Sequence, residues 1–261
     1  MTDTVLSAND GPIATVTLNR PEVRNAFTMA TWQRLAEVME DLGARRDVRI
    51  IIIRGAGDKA FAAGADVHEF PEKRWTLPQS IEYGQAVEHA LATVRAARQP
   101  VIAMIRGFCV GGGCELASAC DIRIASDDAR VGITPAKIGL ILGYEEIRHL
   151  TSIVGPGLAK ELLFTGRLMD AAEAKQARYL NHVVPVAELE AFTRQFVDSI
   201  LQNAPITIEA AKRGVNSCLP SPESHVVGEY LDVYVRGFSS GDYKEGVAAF
   251  HEKRKPVFKG D

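Results

Sequence analysis

The chain has 261 residues, 46% hydrophobic and 24% charged, the proportions of an ordinary globular protein, which exclude a disordered or fibrous chain. Its 30 Lys and Arg against 33 Asp and Glu leave a formal net charge of −3, so nothing draws it in general to nucleic acid or to an anionic membrane, and any anionic ligand has to be met locally. The opening stretch carries Asp3 and Asp10 without an apolar core, no secretory signal is expected there, and no run of about 18 apolar residues spans a bilayer, so a cytoplasmic location is expected.

Ile13 to Leu18 alternates and is rich in β-branched residues, which predicts a strand ending at the turn former Asn19-Arg20-Pro21. Met29 to Leu42 sets Trp32, Leu35, Ala36, Met39 and Leu42 at three- and four-residue steps, the period of a helix with one buried face. Val48 to Ile53 is a near-continuous apolar strand of the sort found in a parallel sheet covered on both sides. The pattern continues as a helix from about Ser80 to Ala97, a strand from Val101 to Arg106, a glycine-rich turn, a helix from about Gly113 to Ala119 and a strand from Ile122 to Ser126. This order is that of an α/β core with right-handed crossovers, whose functional loops gather at the carboxyl ends of the strands. From Pro205 onward the periodicity is helical, in Thr207 to Leu219, Ser221 to Ser239 and Asp242 to Lys253. Cys109, Cys114, Cys120 and Cys218 match no CxxC signature and are expected to be reduced, buried thiols. The six histidines form no cluster with metal-ligand spacing, so no metal site is expected.

Two loops, each after a predicted strand, carry the chemical signal: Ala60-Phe-Ala-Ala-Gly-Ala-Asp-Val-His-Glu69 and Arg106-Gly-Phe-Cys-Val-Gly-Gly-Gly-Cys-Glu-Leu116. With no side chain at Gly111, Gly112 and Gly113 and only methyl groups at Ala63 and Ala65, a substrate carbonyl can approach free N–H groups. The second loop also opens a helix, whose unpaired first amides carry partial positive charge suited to an oxyanion. Taken alone, three glycines are equally a tight strand-to-helix turn. No P-loop, dinucleotide fingerprint or nucleophile elbow is present.

Together with Leu18-Asn-Arg-Pro-Glu-Val-Arg-Asn-Ala-Phe27 and the tail from Ser239 to Phe258, these loops resemble the crotonase superfamily, the enoyl-CoA hydratases and isomerases, over almost the whole chain. The resemblance implies an α/β spiral of repeated ββα turns over 1–204, carrying the CoA and oxyanion site, followed over 205–261 by a helical trimerisation region. It implies homotrimers, often paired into hexamers, an acyl-CoA substrate that brings coenzyme A with it, and no separate cofactor. The thioester oxygen would accept hydrogen bonds from the amides of Ala65 and Gly112. Charge gathers on that oxygen as an enolate forms, and loss of one such donor costs about 2.7–4 kcal/mol.

Glu115 matches the first of the two glutamates that hydratases of the family use, and its alternative reading is a solvated glutamate complementing the helix dipole. Pro135 stands where the second is expected, so a two-carboxylate water addition lacks half its machinery at the usual place. The altered turn Gly143-Tyr-Glu-Glu-Ile-Arg-His149 offers Glu145 either as a substitute acid or as an ordinary helix-start carboxylate. Ala63, Ala65, Asp66, Val67 and His68 match the stretch that lies along CoA, where His68 takes a binding or rim role ahead of a basic one. Arg24 and Lys253 are candidate cations for the CoA phosphates, and the family's counterparts of Phe250 and Lys253 reach the nucleotide of a neighbouring subunit. Hydration and isomerisation through Glu115 alone both stay open, as do decarboxylation, thioester hydrolysis and a catalytically weak CoA-binding or structural subunit.

Overall fold

The computed structural model describes residues 3–218 and 224–260, with the side chains at 224–229 and 232 outside the described residues. The strands are β1 (Val5–Asp10), β2 (Ile13–Leu18), β3 (Ile50–Gly55), β4 (Ala60–Ala62), β5 (Val101–Ile105), β6 (Phe108–Val110), β7 (Ile122–Ser126), β8 (Arg130–Gly132), β9 (Leu168–Asp170) and β10 (His182–Val184). They form two sheets, one in the order β1-β2-β3-β5-β7-β10 and a smaller one in the order β4-β6-β8-β9. Successive pairs alternate between them: β3, β5 and β7 go to the first sheet, and β4, β6 and β8, which follow each directly, go to the second. The pairings are parallel except at β1/β2 and β8/β9. This is the expected spiral of ββα turns.

The helices are α1 (Met29–Ala44), α2 (Phe70–Lys73), α3 (Leu77–Ala96), α4 (Gly112–Ala119), α5 (Tyr144–Thr165), α6 (Ala171–Gln176), α7 (Leu189–Leu201), α8 (Pro205–Ser217), α9 (Ser224–Ser239) and α10 (Gly241–His251). Local chemistry starts them where the sequence predicts. Thr28 caps α1 by accepting from the Thr31 amide at 3.1 Å, and Thr76 and Gln79 form a reciprocal capping box at the start of α3. The Met29 amide is further held by the Glu69 carboxylate at 2.7 Å. None of the described helices is long and apolar enough to cross a membrane.

The run of isoleucines in β3 serves two cores. Ile51 and Ile53 join the main core with Trp32, Leu35 and Met39 of α1 and Tyr83, Val87 and Leu91 of α3. Ile50 and Ile52 face the other way, with Ile102 and Met104, onto Leu189 and Val197 of α7. Burial on both faces is why the strand is apolar throughout.

Several elements escape the sequence pattern. β1 exposes every residue but Val5 and pairs with β2 as an edge hairpin through Gly11-Pro12, so its polar sequence carries no core signal. Cys218 corrects the reading of four buried thiols: it is exposed after α8, whereas Cys109, Cys114 and Cys120 are buried. Burial pushes the Cys114 and Cys120 thiols up to about 12, which keeps them protonated and unreactive.

One buried cation joins core to site. The Arg123 guanidinium donates to the carbonyls of Ala117 and Cys120 at 3.2 and 2.8 Å, capping the end of α4, and to Tyr179 O at 2.5 Å. Replacing it with methionine would strand the Cys120 and Tyr179 carbonyls, each costing about 1–3 kcal/mol when unsatisfied and buried, while Ala117 O keeps the Cys120 amide. We therefore expect Arg123→Met to lower unfolding stability by at least about 2 kcal/mol in urea titration; an unchanged midpoint would contradict this.

Candidate active site

β4 and β6 lie side by side in parallel, so the loops at their carboxyl ends meet. Phe27 bridges the first loop: its N–H donates to Gly64 O at 2.8 Å and its carbonyl accepts from Asp66 N at 2.7 Å. In a parallel bridge the residue between those two partners turns its N–H away, so the Ala65 amide points to the opposite side from Phe27. Gly112 opens α4, and its amide has no partner within the helix. Neither amide donates to another backbone group among the described residues.

The two loops touch at Gly64 and Gly111, with φ of +98° and +54°. A Cβ on Gly111 would stand 3.4 Å from Gly64 Cα, and one on Gly64 3.6 Å from the Gly112 nitrogen. At this spacing the Ala65 and Gly112 amides share one stretch of wall of a cavity of about 870 Å³. Gly112 has no room for a side chain, because a Cβ would lie 2.9 Å from Trp32 Cζ2. Trp32 itself is stacked on Phe27 with centroids 3.9 Å apart.

Glu115, one turn into α4, lines the same cavity. It keeps part of its surface open, and that surface belongs to the cavity wall. Burial and then the nearby Glu146 carboxylate raise it to about 8, against a smaller downward pull from Arg74. Glu146, which the sequence reading passed over, comes from the first turn of α5. It is 7% exposed, and its Oε2 has no hydrogen-bond partner among the described residues. Burial raises it to about 7, with its own amide opposing and Glu88 adding to the rise. Each carboxylate therefore keeps its proton to a higher pH than an exposed glutamate would.

Glu145 also lines the cavity, but it is committed elsewhere. Arg148 Nη2 pairs with its Oε2 at 2.6 Å, and His149 Nε2 stands 3.5 Å away. Burial would raise it, yet the Arg148 contacts win and hold it below the usual carboxylate range. His149 is pushed down to about 4 by burial and by Arg95 and Arg148, so it stays neutral. Pro135 lines the cavity at the start of a 3₁₀ turn and brings no carboxylate. Both carboxylates line the cavity, and what separates them, the Arg148 pairing of Glu145 and the deep burial of Glu146, is set by the packing of α5.

Of the other predicted residues, Arg24, Ala63, Asp66, Val67, His68 and Phe250 line the cavity, and Lys253 does not. Arg24, with φ of 55°, lies over the Phe108 ring at 5.3 Å. Asp66 is structural in part, pairing with Arg20 at 3.0 Å. His68 is exposed, 5.7 Å from the Phe250 ring, so the tail of this chain reaches its own cavity.

A sequence model of the enoyl-CoA hydratase/isomerase family matches residues 8–261. The chain belongs to that family. It is 33% identical over 251 residues to the short-chain-enoyl-CoA hydratase of Clostridium acetobutylicum, covering 96% of this chain and 95% of the relative. Among solved structures, an enoyl-CoA hydratase/carnithine racemase from Magnetospirillum magneticum is 40% identical with a TM-score of 0.82, covering 100% of this chain and 97% of that one. A methylmalonyl-CoA decarboxylase in complex with 2-nitronate-propionyl-CoA is 31% identical with a TM-score of 0.90, over 99% of both chains. The fold is therefore crotonase-like, and the family spans more than one reaction.

The carboxylate pair makes stability pH-dependent with a defined sign. Both groups are raised above their ordinary value of 4.5, so the folded chain keeps protons that the unfolded chain releases. Their contribution is complete below that value and is lost as pH rises through about 7 to 8. Between pH about 5 and 9 the wild-type melting temperature should fall relative to that of Glu115→Gln, which keeps only the Glu146 proton to lose there. Parallel melting curves of the two proteins across this range would contradict the assignment.

Proposed function

We propose that this protein hydrates the double bond of an enoyl-CoA thioester, with Glu115 and Glu146 as the acid–base pair. The observation that carries the reading is the pair itself: two carboxylates, both pushed upward by burial, in the wall of one cavity with two amides free of backbone partners. The Ala65 and Gly112 amides donate to the thioester oxygen and stabilise the charge that gathers there. The ionised carboxylate takes a proton from water as the water oxygen bonds to the β-carbon. The protonated one delivers its proton to the α-carbon as the enolate collapses. The pair ends with one proton, as it began, and the two carboxylates exchange it before the next turnover.

A decarboxylation would use the same two amides but needs no base to activate water, so the paired carboxylates favour hydration. Isomerisation through Glu115 alone would leave Glu146 without a task. The CoA arm runs past Ala63, Asp66, Val67 and His68 toward the Arg24 guanidinium, with Phe250 at the rim. The spiral over 1–204 carries the amides and carboxylates, the helices of 205–261 close the cavity with Tyr230, Tyr234 and Phe250, and we assign 205–261 in addition to assembly into a homotrimer or a pair of trimers. In support, α9 exposes Val233 and α8 exposes Ile206 and Val215 outside the cavity, whereas Leu231 and Val235 line it. Val226 and Val227, expected on the same apolar face, lie outside the described side chains. A monomer in light scattering at micromolar concentration would refute the assembly.

With a 2-enoyl-CoA substrate, Glu115→Gln and Glu146→Gln should each lower kcat at least about 10²-fold, the low end for loss of general acid–base catalysis. Glu145→Gln should stay within a few-fold of wild type, since its carboxylate serves Arg148. Loss of turnover in Glu145→Gln with full turnover in Glu146→Gln would reverse the assignment.

A further inference from the structure

Arg74 closes α2 and is held from both sides of its backbone. Its amide donates to Phe70 O at 2.9 Å, and its carbonyl accepts from Ser80 Oγ at 3.1 Å and Tyr243 Oη at 2.6 Å. The guanidinium carbon lies 5.3, 4.6 and 5.2 Å from the ring centres of Phe70, Tyr83 and Phe238. Such contacts meet the charge through aromatic faces and supply no carboxylate to the N–H donors at the rim of the ion. The residue is 6% exposed and lines the cavity. Its Nε is buried with no hydrogen-bond partner, and it makes no ion pair among the described residues. The Tyr234 phenol is within its reach as a neutral partner.

The neighbouring charges are already matched. Glu88 pairs with Arg95 at 2.5 Å and Glu145 with Arg148 at 2.6 Å. A guanidinium without a carboxylate is costly to bury, and its planar fork fits a carboxylate in two-pronged fashion. The remaining carboxylates of the wall, Glu115 and Glu146, are both pushed upward by burial, which disfavours their charged forms. The cavity can therefore admit a further negative group.

We propose that Arg74 receives a carboxylate carried by the acyl group, so that the natural substrates are CoA thioesters of dicarboxylic acids. This rests on the thioester reading above and names its acyl class. Arg74 is then a specificity-determining residue: its donors, preset by three rings, select an acidic acyl chain over an alkyl chain of the same shape.

Saturated thioesters, which cannot be hydrated, separate recognition from turnover. Calorimetry would compare succinyl-CoA with 4-methylpentanoyl-CoA and glutaryl-CoA with 5-methylhexanoyl-CoA, pairs in which two methyl groups replace two carboxylate oxygens, with CoA itself as reference. We expect the diacid thioester to bind at least about 10-fold more tightly in at least one pair, about 1.4 kcal/mol. In Arg74→Met that ratio should fall below about threefold, while Arg74→Lys keeps part of it, since a compact ammonium supplies the charge without the fork. A role confined to balancing the Glu115 and Glu146 charges would change both members of a pair alike and leave their ratio intact. Equal binding within each pair by the wild-type protein overturns the inference and leaves the thioester reading standing, and that comparison does not depend on the folding of any variant. Failure of CoA and all four thioesters to bind would instead overturn the thioester reading itself.

Discussion

The contact between Gly64 and Gly111 is the constraint on which the site depends. Two sheets of one spiral place β4 and β6 side by side, and their carboxyl ends then face each other across a few ångströms. A Cβ on Gly64 would crowd Val110 O at 3.1 Å, and the positive φ of both Gly64 and Gly111 strains any other residue there, so substitution would disturb the placing of the two amides beside them. The Phe27 bridge fixes the first amide by taking up the hydrogen bonds on either side of it. The start of α4 frees the second. An oxyanion site of this kind is a property of backbone direction, so it tolerates wide change in the side chains around it.

Around that backbone frame, the cavity is organised by charge. Glu88 and Glu145 are neutralised by their own arginines, while Glu115 and Glu146 are pushed upward by burial, and Arg74 is left with aromatic rings. Each departure from pairing is costly in a buried setting and persists only where the rest of the fold over-determines it. Unpaired groups thus coincide with the wall where a thioester and its acyl group would lie. The paired ones lie within single helices, Glu88 with Arg95 on α3 and Glu145 with Arg148 on α5.

The tail completes the enclosure. Tyr230 of α9 donates to Leu142 O at 2.6 Å, and Gly246 of α10 packs so closely on Ile138 that no Cβ fits between them. These contacts pin the segment 135–143 against the C-terminal helices, and Phe250 reaches His68 on the opposite loop. The cavity is thereby bounded by elements far apart in sequence.

Much of this was legible in the chain. The periods of α1 and α3, the apolar runs of β3 and β5 and the small residues of the two loops each report a local requirement: a buried helix face, a strand covered twice, a backbone that must be approached closely. Glu115 stood out through the family resemblance, since its place in the first turn after the glycine loop fits a solvated glutamate equally well. The second sheet was not legible, because strands of three residues carry too little periodicity to register. Nor was Glu146, whose difference from Glu145 is set by the packing of α5, nor the isolation of Arg74, which arises only when Phe70, Tyr83 and Phe238 converge from three elements. Sequence by itself determined the backbone chemistry, because conformational freedom and local period are written residue by residue. Which carboxylates are pushed upward and which cation lacks a partner was decided by the tertiary structure alone, because burial and charge pairing are set by neighbours that the chain brings from a distance.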